Sequence, residues 1–304
     1  MKKLKNKDLI TVADLSCQDI ESIFKMAASL KKKNQKLLPG KKLGLIFNKP
    51  STRTRVSFEV GIYDLGGIGI YLTRQDLQIG RGESLKDTAL TLSRYLDGIM
   101  IRTYSHEDVV DLARFANIPI INGLTDLLHP CQALSDFFTI KEYKKNIKNL
   151  KIGYIGDGNN VAHSLVLLSS LTGVNITLAS PRNYFIDNKI RDQAMEFAKK
   201  SSSQIILTTD PKEAARKADV LYTDVWVSMG QESEKANKRK IFKGYQINED
   251  LLKLAKDDVI VMHCLPAHRG EEITDSVIDG SHSVVFDQAE NRLHTQKAIM
   301  ALLL

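Results

Sequence analysis

The feature that most constrains the fold is an alternation of short, continuous apolar runs with longer segments of helical periodicity. In the first half of the chain the apolar runs are residues 43–47, 68–72, 98–101 and 118–121. Strands without alternating polar residues are buried on both faces, and helices between them serve as crossovers between parallel strands. The pattern therefore predicts a parallel β-sheet covered by helices.

The alternation stops at a polar segment, residues 144–149, and then restarts. The strands predicted for the second half are residues 151–155, 175–179, 204–207, 220–222, 259–262 and 284–286. A chain of 304 residues is long enough for two domains. The predicted fold class is α/β: two domains, each a parallel β-sheet flanked by helices, joined by interdomain helices.

Composition narrows the functional classes. The chain has a net charge of +7, which permits nucleic-acid binding, but its lysines are scattered and have acids nearby, as expected for a solvated surface. The longest apolar runs fall short of the ~20 residues that span a bilayer, and the basic start is not followed by an apolar signal core. Three isolated cysteines indicate no disulfide framework. These features predict a cytoplasmic protein.

A cluster of hydroxyls and guanidiniums lies at the start of the second helix, in the sequence Ser51-Thr52-Arg53-Thr54-Arg55. Ser51 or Thr52 can serve as N-cap, and the free N–H groups of a helix start attract anions. Arg53 and Arg55 add two planar donor forks that suit phosphate oxygens. A capped helix with two solvated arginines is the alternative, but the concentration of donors favours an anion site.

Other polar residues follow predicted strands, where ligands collect in open parallel sheets. Arg102 comes directly after one strand, and His129 and Gln132 open a helix with Pro130 in its first turn. Gln78 lies in a polar, glycine-containing loop. Taken singly, these residues also fit a surface arginine, a capping histidine and an ordinary loop.

The second half carries three further strand-end motifs. The turn at 156–160 invites a dinucleotide interpretation, but the third glycine of the fingerprint is replaced by Val161. Asp224 offers a carboxylate for an ammonium-bearing substrate. A zinc site at His263, Cys264 and His268 lacks a fourth ligand and a standard spacing. Cys264 as a covalent nucleophile is a further alternative.

Together the motifs resemble the aspartate/ornithine carbamoyltransferase family, in order, from about residue 5 to the end. The resemblance rests on the segment 47–55, on His-Pro-Cys-Gln at 129–132, on Ser-Met-Gly at 228–230 and on His-Cys-Leu-Pro at 263–266. It implies a carbamoyl-phosphate domain at 1–145, with the C-terminal helix 289–304 packing back on it, and an ornithine domain at 150–287.

The resemblance also assigns site residues. The residues implied to bind carbamoyl phosphate are Ser51, Thr52, Arg53, Thr54, Gln78, Arg102, His129, Gln132, Cys264, Leu265 and Arg292. The residues implied to bind ornithine are Asn160, Asp224, Ser228 and Met229. Those implied to be catalytic are Arg102, His129, Cys264 and Asp224. Gln78 is implied to reach the anion site of a neighbouring subunit, which suggests a homotrimer or a multiple of trimers.

The implied reaction transfers a carbamoyl group from carbamoyl phosphate to the side-chain amine of L-ornithine, giving L-citrulline and phosphate. We expect no metal and no organic cofactor, because the phosphate leaving group supplies the driving force. The expected setting is arginine metabolism, in particular arginine biosynthesis, although the residues do not distinguish biosynthetic from catabolic flux. The alternatives are another acceptor amine, such as putrescine, and a basic nucleic-acid-binding α/β protein without activity.

Overall fold

The computed structural model describes residue 4 and residues 7–78, 82–227 and 235–304. Two compact units make up the chain: the first comprises Met1–Phe138 and Glu290–Leu304, and the second Thr139–Ala289. Each is an α/β unit with a parallel sheet. The predicted fold class is confirmed.

In the first unit, the described residues form a four-stranded sheet in the order β2-β1-β3-β4. Its strands are β1 (Lys42–Phe47), β2 (Ile68–Thr73), β3 (Gly98–Arg102) and β4 (Ile120–Leu124). Its helices are α1 (Cys17–Lys32), α2 (Thr52–Asp64), α3 (Leu85–Leu92) and α4 (His106–Phe115). β1 and β3 are buried throughout except for the first residue of β1, as the apolar runs predict.

In the second unit, the described residues form a five-stranded sheet in the order β7-β6-β5-β8-β9. Its strands are β5 (Lys151–Ile155), β6 (Asn175–Ala179), β7 (Ile205–Thr208), β8 (Val220–Thr223) and β9 (Ile260–His263). Its helices are α6 (Asn160–Thr172), α7 (Asn188–Ser201), α8 (Pro211–Ala215), α9 (Lys235–Ile241), α10 (Glu249–Leu252) and α11 (Asp275–Ile278).

Two further helices carry the chain from one unit into the other. They are α5 (Pro130–Lys144) and α12 (Val285–Leu303), and the units divide within each of them, after Phe138 and after Ala289. The polar segment 144–149 thus follows the end of α5 rather than the point where the contacts divide. None of the described helices combines the length and apolar character that a bilayer crossing requires.

One predicted strand is wrong. Residues 284–286 do not form a strand, because α12 begins at Val285 and the Gln288 N–H already donates to the Val284 carbonyl. Ser283, just before this segment, makes an isolated bridge to Val261 of β9. Three apolar residues are too few to distinguish a strand from the first turn of a helix by period.

The helices that deliver polar groups to the sheet edge begin at side-chain caps. At each of these caps a side-chain oxygen accepts a backbone N–H in the first helical turn, which satisfies one of the orphan donors. The caps are Ser51 for α2, Ser84 for α3, Ser105 for α4 and Asn159 for α6.

Candidate active site

The start of α2 in the first unit presents donors at the carboxyl end of β1. The Ser51 side chain caps the helix by accepting the Thr54 N–H at 3.2 Å. The Ser57 hydroxyl donates to the Arg53 carbonyl at 2.6 Å, within the helix. The first turn therefore combines uncapped N–H groups, hydroxyls and the Arg53 guanidinium at the positive end of a 13-residue helix.

Arg292 joins three distant parts of the first unit. Its guanidinium is buried and donates to the Thr54 hydroxyl at 3.2 Å and to the Gln132 side-chain oxygen. Gln132 in turn donates through Nε2 to Asp136, one turn further along α5, at 2.8 Å. The structure thus brings together Thr54, Gln132 and Arg292 from α2, α5 and α12, and their roles towards a substrate stay predictions.

His129 is buried beside this network and beside the end of β3. Burial is the main cause that holds the pKa of His129 well below its usual value, and the positive charges of Arg292, Arg102 and Arg53 lower it further. His129 is therefore a neutral imidazole at physiological pH. Three guanidiniums around a neutral donor form a strongly positive pocket that suits an anion.

The hypothesis that Arg55 is the second cation of the pocket is wrong. Its guanidinium stacks over the ring of Tyr71 at 3.6 Å and pairs with Glu59 at 3.3 Å. Arg55 lies two residues beyond Arg53 on a helix, so the two side chains point about 160° apart around the helix axis. Arg292, far away in sequence, supplies the cation in its place.

Sequence reasoning missed the residues that hold the β1–α2 connection in place. The Asn48 side chain donates to the Thr103 hydroxyl at 3.0 Å, and its N–H donates to the Arg102 carbonyl at 2.8 Å. The buried Lys49 ammonium lies 4.1 Å from the Tyr104 ring centroid and bonds to Asp126. These contacts tie the anion-binding turn to the end of β3.

Gln78, predicted to reach a neighbouring subunit, is exposed in the described structure. Its backbone carbonyl accepts the Glu83 N–H at 3.2 Å. The role of its side chain towards a neighbour stays a prediction.

In the second unit, the polar residues that follow β5, β8 and β9 cluster around one carboxylate, that of Asp224. The Asp224 carboxylate accepts from Asn159 Nδ2 at 2.7 Å, from the Cys264 thiol at 2.9 Å and from the Val225 N–H at 2.8 Å. Asp224 is buried, with 6 % of its surface exposed. The predicted residues Asp224 and Cys264 therefore meet, and Asn159, which sequence reasoning passed over, joins them.

Asn159 and Asn160 share the start of α6 but differ in role. Asn159 is the N-cap and also contacts Asp224, whereas Asn160 is the first helical residue and is half-buried. The predicted ornithine ligand Asn160 is therefore adjacent to the cluster. Ser228 and Met229, the other predicted ornithine ligands, lie outside the described residues.

The turn after β5 is shaped by contact with its own chain rather than by a dinucleotide fingerprint. A Cβ at Gly158 would come within 2.5 Å of backbone atoms of Tyr184, Phe185 and Ile186. The Asp157 carboxylate forms a buried ion pair with Lys238 of α9 at 2.7 Å. Packing within the chain therefore accounts for Gly158, and an ion pair within the chain accounts for Asp157.

The His-Cys-Leu-Pro segment leaves β9 in a fixed turn. His263 is fully buried, and its Nδ1 accepts the Leu265 N–H at 2.9 Å while its Nε2 lies 3.0 Å from the Glu272 carboxylate. The Cys264 thiol points to Asp224. The turn thus holds the thiol against the carboxylate.

Two groups of side chains have metal-ligand chemistry and lie close together. Asp224, His263 and Cys264 have ligand atoms within 4.8 Å of one another, as do His268, Glu271 and Glu272. In the first group the thiol bonds to Asp224, and both ring nitrogens of His263 bond to Leu265 and Glu272. These groups already form the hydrogen bonds that hold the turn, so the geometry gives no support to a zinc site that uses His263 and Cys264.

The two sites define a class of protein: a two-unit α/β protein with a cationic pocket at the strand ends of one unit and an acceptor cluster at the strand ends of the other. Comparison with known proteins specifies the family. Residues 7–142 match the carbamoyl-P binding domain of aspartate/ornithine carbamoyltransferase, and residues 148–303 match its Asp/Orn binding domain.

Relatives match over nearly the whole chain. The ornithine carbamoyltransferase of Thermococcus kodakarensis is 55 % identical over 306 residues, covering 99 % of this chain and 97 % of that protein. A protein of Pyrococcus furiosus named "Ornithine carbamoyltransferase, anabolic" is 53 % identical, with 99 % and 97 % covered. A solved structure of ornithine carbamoyltransferase from Pyrococcus furiosus has a TM-score of 0.96 at 52 % identity, covering 100 % of this chain and 98 % of that one. The chain belongs to the aspartate/ornithine carbamoyltransferase family.

Proposed function

We propose that this protein transfers the carbamoyl group of carbamoyl phosphate to the side-chain amine of L-ornithine, giving L-citrulline and phosphate. The observation that carries the proposal is the cationic pocket of the first unit, where the buried Arg292 guanidinium bonds to Thr54 and Gln132 and the charges of Arg292, Arg102 and Arg53 act on the buried His129. The names of relatives that match the chain throughout support the choice of ornithine, and the description of the domain matched by residues 7–142 supports carbamoyl phosphate.

In the first unit, Ser51, Thr52, Arg53 and Thr54 bind the phosphate through hydroxyls, N–H groups and charge. Arg102 and His129 donate to the carbonyl oxygen and stabilise the negative charge that develops there when the amine attacks. Since His129 is neutral, it donates through one ring N–H and carries no charge of its own.

The carbamoyl amide is oriented by acceptors. The Gln132 side-chain oxygen already accepts from Arg292, and its second lone pair suits a carbamoyl N–H. We assign the Leu265 carbonyl the same role, and we place Cys264 beside the reacting carbamoyl group. Arg292 then acts twice, by fixing Gln132 and by adding positive charge to the pocket.

In the second unit, Asp224 supplies the negative charge that an ammonium-bearing amino acid needs. We propose that Asp224, Asn160, Ser228 and Met229 bind ornithine. The bonds from Asn159 and Cys264 hold the Asp224 carboxylate in one orientation before substrate arrives. Preorganisation of this kind avoids the cost of ordering the carboxylate on binding.

The attacking amine must lose a proton. A lysine-like amine has a pKa near ~10.4, so only about 10⁻³ to 10⁻⁴ of it is neutral at pH 7. A proton acceptor or desolvation in the site must therefore raise the neutral fraction. Cys264 and Asp224 are neighbours suited to this task, and we include both among the catalytic residues without naming one of them as the base.

We also propose a homotrimer, in which Gln78 completes the anion site of a neighbouring subunit. Exposed apolar side chains of α2 support self-association: Val56, Val60 and Tyr63 lie on one helical face and are 50 %, 41 % and 71 % exposed. We propose a role in arginine biosynthesis, in line with the word "anabolic" in the name of the relative from P. furiosus.

The proposed domain limits are 1–145 with 289–304 for the donor and 150–287 for the acceptor. The proposed location is the cytoplasm, and the Cys264 thiol in the acceptor site, which forms no disulfide, fits a reducing compartment.

The deciding experiment incubates the protein with carbamoyl phosphate and either ornithine or putrescine, and measures phosphate, citrulline and carbamoylputrescine. We expect citrulline and phosphate in equal amounts. Carbamoylputrescine in excess would assign a different acceptor. Absence of phosphate release, together with salt-sensitive retention on DNA or RNA, would favour the nucleic-acid-binding alternative.

A further inference from the structure

A buried carboxylate behind the acceptor site has no part in the chemistry proposed above. Glu272 is 0 % exposed, and its Oε1 lies 3.0 Å from Nε2 of His263, which is also 0 % exposed. The same oxygen accepts the backbone N–H of His268. Burying a carboxylate is costly unless it is hydrogen-bonded, so these contacts call for an explanation.

The other ring nitrogen of His263 shows which tautomer the ring adopts. Nδ1 accepts the Leu265 N–H at 2.9 Å and therefore carries no proton. The proton must then sit on Nε2, where it is donated to Glu272. A carboxylate can only accept, so Glu272 selects the tautomer that leaves Nδ1 free to receive the Leu265 N–H.

The Leu265 peptide needs such a bond. Leu265 has φ = 57°, in the left-handed region that residues with a Cβ seldom adopt. A conformation of this kind persists only where surrounding contacts impose it. The bond from the Leu265 N–H to His263 is one such contact, and it lies next to Cys264, whose thiol meets Asp224.

The end of β9 is held by a separate pair of hydrogen bonds. The His263 N–H donates to the Gln288 side chain at 3.0 Å, and Gln288 donates to the Tyr222 hydroxyl at 3.1 Å. Loss of the Glu272 acceptor should therefore disturb the ring and the Leu265 peptide before it disturbs β9.

We propose that Glu272 is a positioning residue for carbamoyl transfer: by fixing the Nε2–H tautomer of His263, it holds the Leu265 carbonyl and the Cys264 thiol in their working orientation. This inference rests on the proposed function for the roles of Leu265 and Cys264. The tautomer itself can be tested without any assay of activity.

The experiment compares Glu272→Met, Glu272→Gln and the control Glu271→Gln. Methionine has a similar length but accepts almost nothing, so the buried His263 Nε2–H and the half-buried His268 N–H lose their partner. We therefore expect kcat to fall about 10- to 100-fold. Glutamine keeps a neutral acceptor, and since charge-assisted bonds are about twice as strong as neutral ones, we expect a fall of about three- to tenfold. Glu271 bonds to Arg239 at the surface, and its variant should match the wild type.

Two readouts separate positioning from general damage. The KM for carbamoyl phosphate should change less than about threefold, because its phosphate is bound by the helix start and cations of the first unit. In ¹⁵N-detected spectra, His263 should be the Nε2–H tautomer in the wild type and in Glu272→Gln, and a mixture of tautomers in Glu272→Met.

In Glu272→Met, a wild-type kcat would overturn the inference, and so would a fall in kcat in that variant with the His263 tautomer unchanged. If Glu272→Met does not fold, Glu272→Gln decides: wild-type kcat in that variant overturns the inference. An inactive wild-type protein would instead refute the proposed function, so the two failures are distinguishable.

Discussion

The sites of the two units are built on the same plan with opposite charge. In the first unit, Arg53, Arg102 and Arg292 converge on a buried, neutral histidine. In the second, Asp224 receives hydrogen bonds from Asn159 and Cys264. Both lie where parallel strands end and capped helices begin, so the fold supplies the place and the side chains supply the charge.

The difference follows from the two substrates that we propose. Carbamoyl phosphate is an anion, whereas ornithine presents ammonium groups to the protein. In the first site the guanidiniums stay charged at any physiological pH. Burial first, and then these positive charges, lower the pKa of His129 and keep it from taking up a proton. In the second site the groups around the carboxylate are neutral donors, so its negative charge is left for the ligand.

The largest effect should come from removing the charge of the second site. Asp224→Asn keeps the size of the side chain but loses the ion pair with ornithine, so we expect kcat/KM for ornithine to fall about 10²-fold or more. Affinity for carbamoyl phosphate should change less than about twofold, because its phosphate contacts belong to the other unit. Steady-state kinetics with each substrate varied in turn would measure both quantities.

A matched control is Asp192→Asn, which removes the same charge from the exposed pair with Arg191. It should leave both constants within about twofold of the wild type, as expected for a surface charge. Equal losses in the two variants would show that net charge, rather than the Asp224 site, controls ornithine binding.

The pH dependence of the rate should show the contrast between a titrating substrate and a non-titrating site histidine. With both substrates saturating, we expect kcat to rise up to about tenfold per pH unit between pH 6 and 9, until the bound amine is deprotonated. His129 should add no inflection in this range, because burial and the arginines hold its pKa well below the usual value. A flat profile, or an inflection near pH 6.5 that His129→Gln abolishes, would refute this expectation.

The smallest effect concerns stability. The pKa of folded His129 lies well below its usual value, so an unfolded chain binds one more proton than the folded one once the pH falls below about 6.5. His129 therefore stabilises the fold fully above that pH, and this contribution is lost as the pH falls towards the folded pKa.

Between pH 6.5 and 5.5, the free energy of unfolding of the wild type should drop about 1 kcal/mol more than that of His129→Gln. Urea unfolding at each pH would measure the difference. His106 and His294, whose pKa values are also lowered by burial, are present in both proteins and cancel in the comparison. Parallel pH dependences for the two proteins would mean that His129 is not held neutral.

Much of the fold could be read from the sequence because buried parallel strands are continuous apolar runs. The runs at 43–47, 98–101 and 151–155 each lie within a strand of the structure. β4 extends past the predicted run because its polar Asn122 is buried and donates to the Ile10 carbonyl. The prediction of a strand at 284–286 failed because a short apolar run carries no period.

The sites were less accessible to sequence reasoning, because partners from distant segments decide them. Arg55 and Arg53 look alike in the sequence, and the contacts with Tyr71 and Glu59 show where Arg55 lies. The sequence does allow Asn159 to be identified as an N-cap candidate beside Asn160. It also allows the Gln132–Asp136 bond to be anticipated, since the two residues are one helical turn apart.

No such signal pointed to Glu272. It lies in the polar segment that follows the His-Cys-Leu-Pro motif, beside a second glutamate, and only its burial against His263 distinguishes the two. Burial of a polar residue by residues far away in the chain is a property of the fold that a single sequence does not display.

The most direct measurement is a calorimetric titration of the full-length protein with carbamoyl phosphate, repeated with Arg53→Ala and with Arg55→Ala. We expect saturable binding by the wild type and by Arg55→Ala, and affinity at least about 10²-fold weaker for Arg53→Ala. The reason is that the charge of Arg53 acts on His129 in the pocket, whereas Arg55 contacts Tyr71 and Glu59. No heat and no thermal protection with the wild type, or equal losses in the two arginine variants, would contradict the claim that this helix start binds the carbamoyl donor.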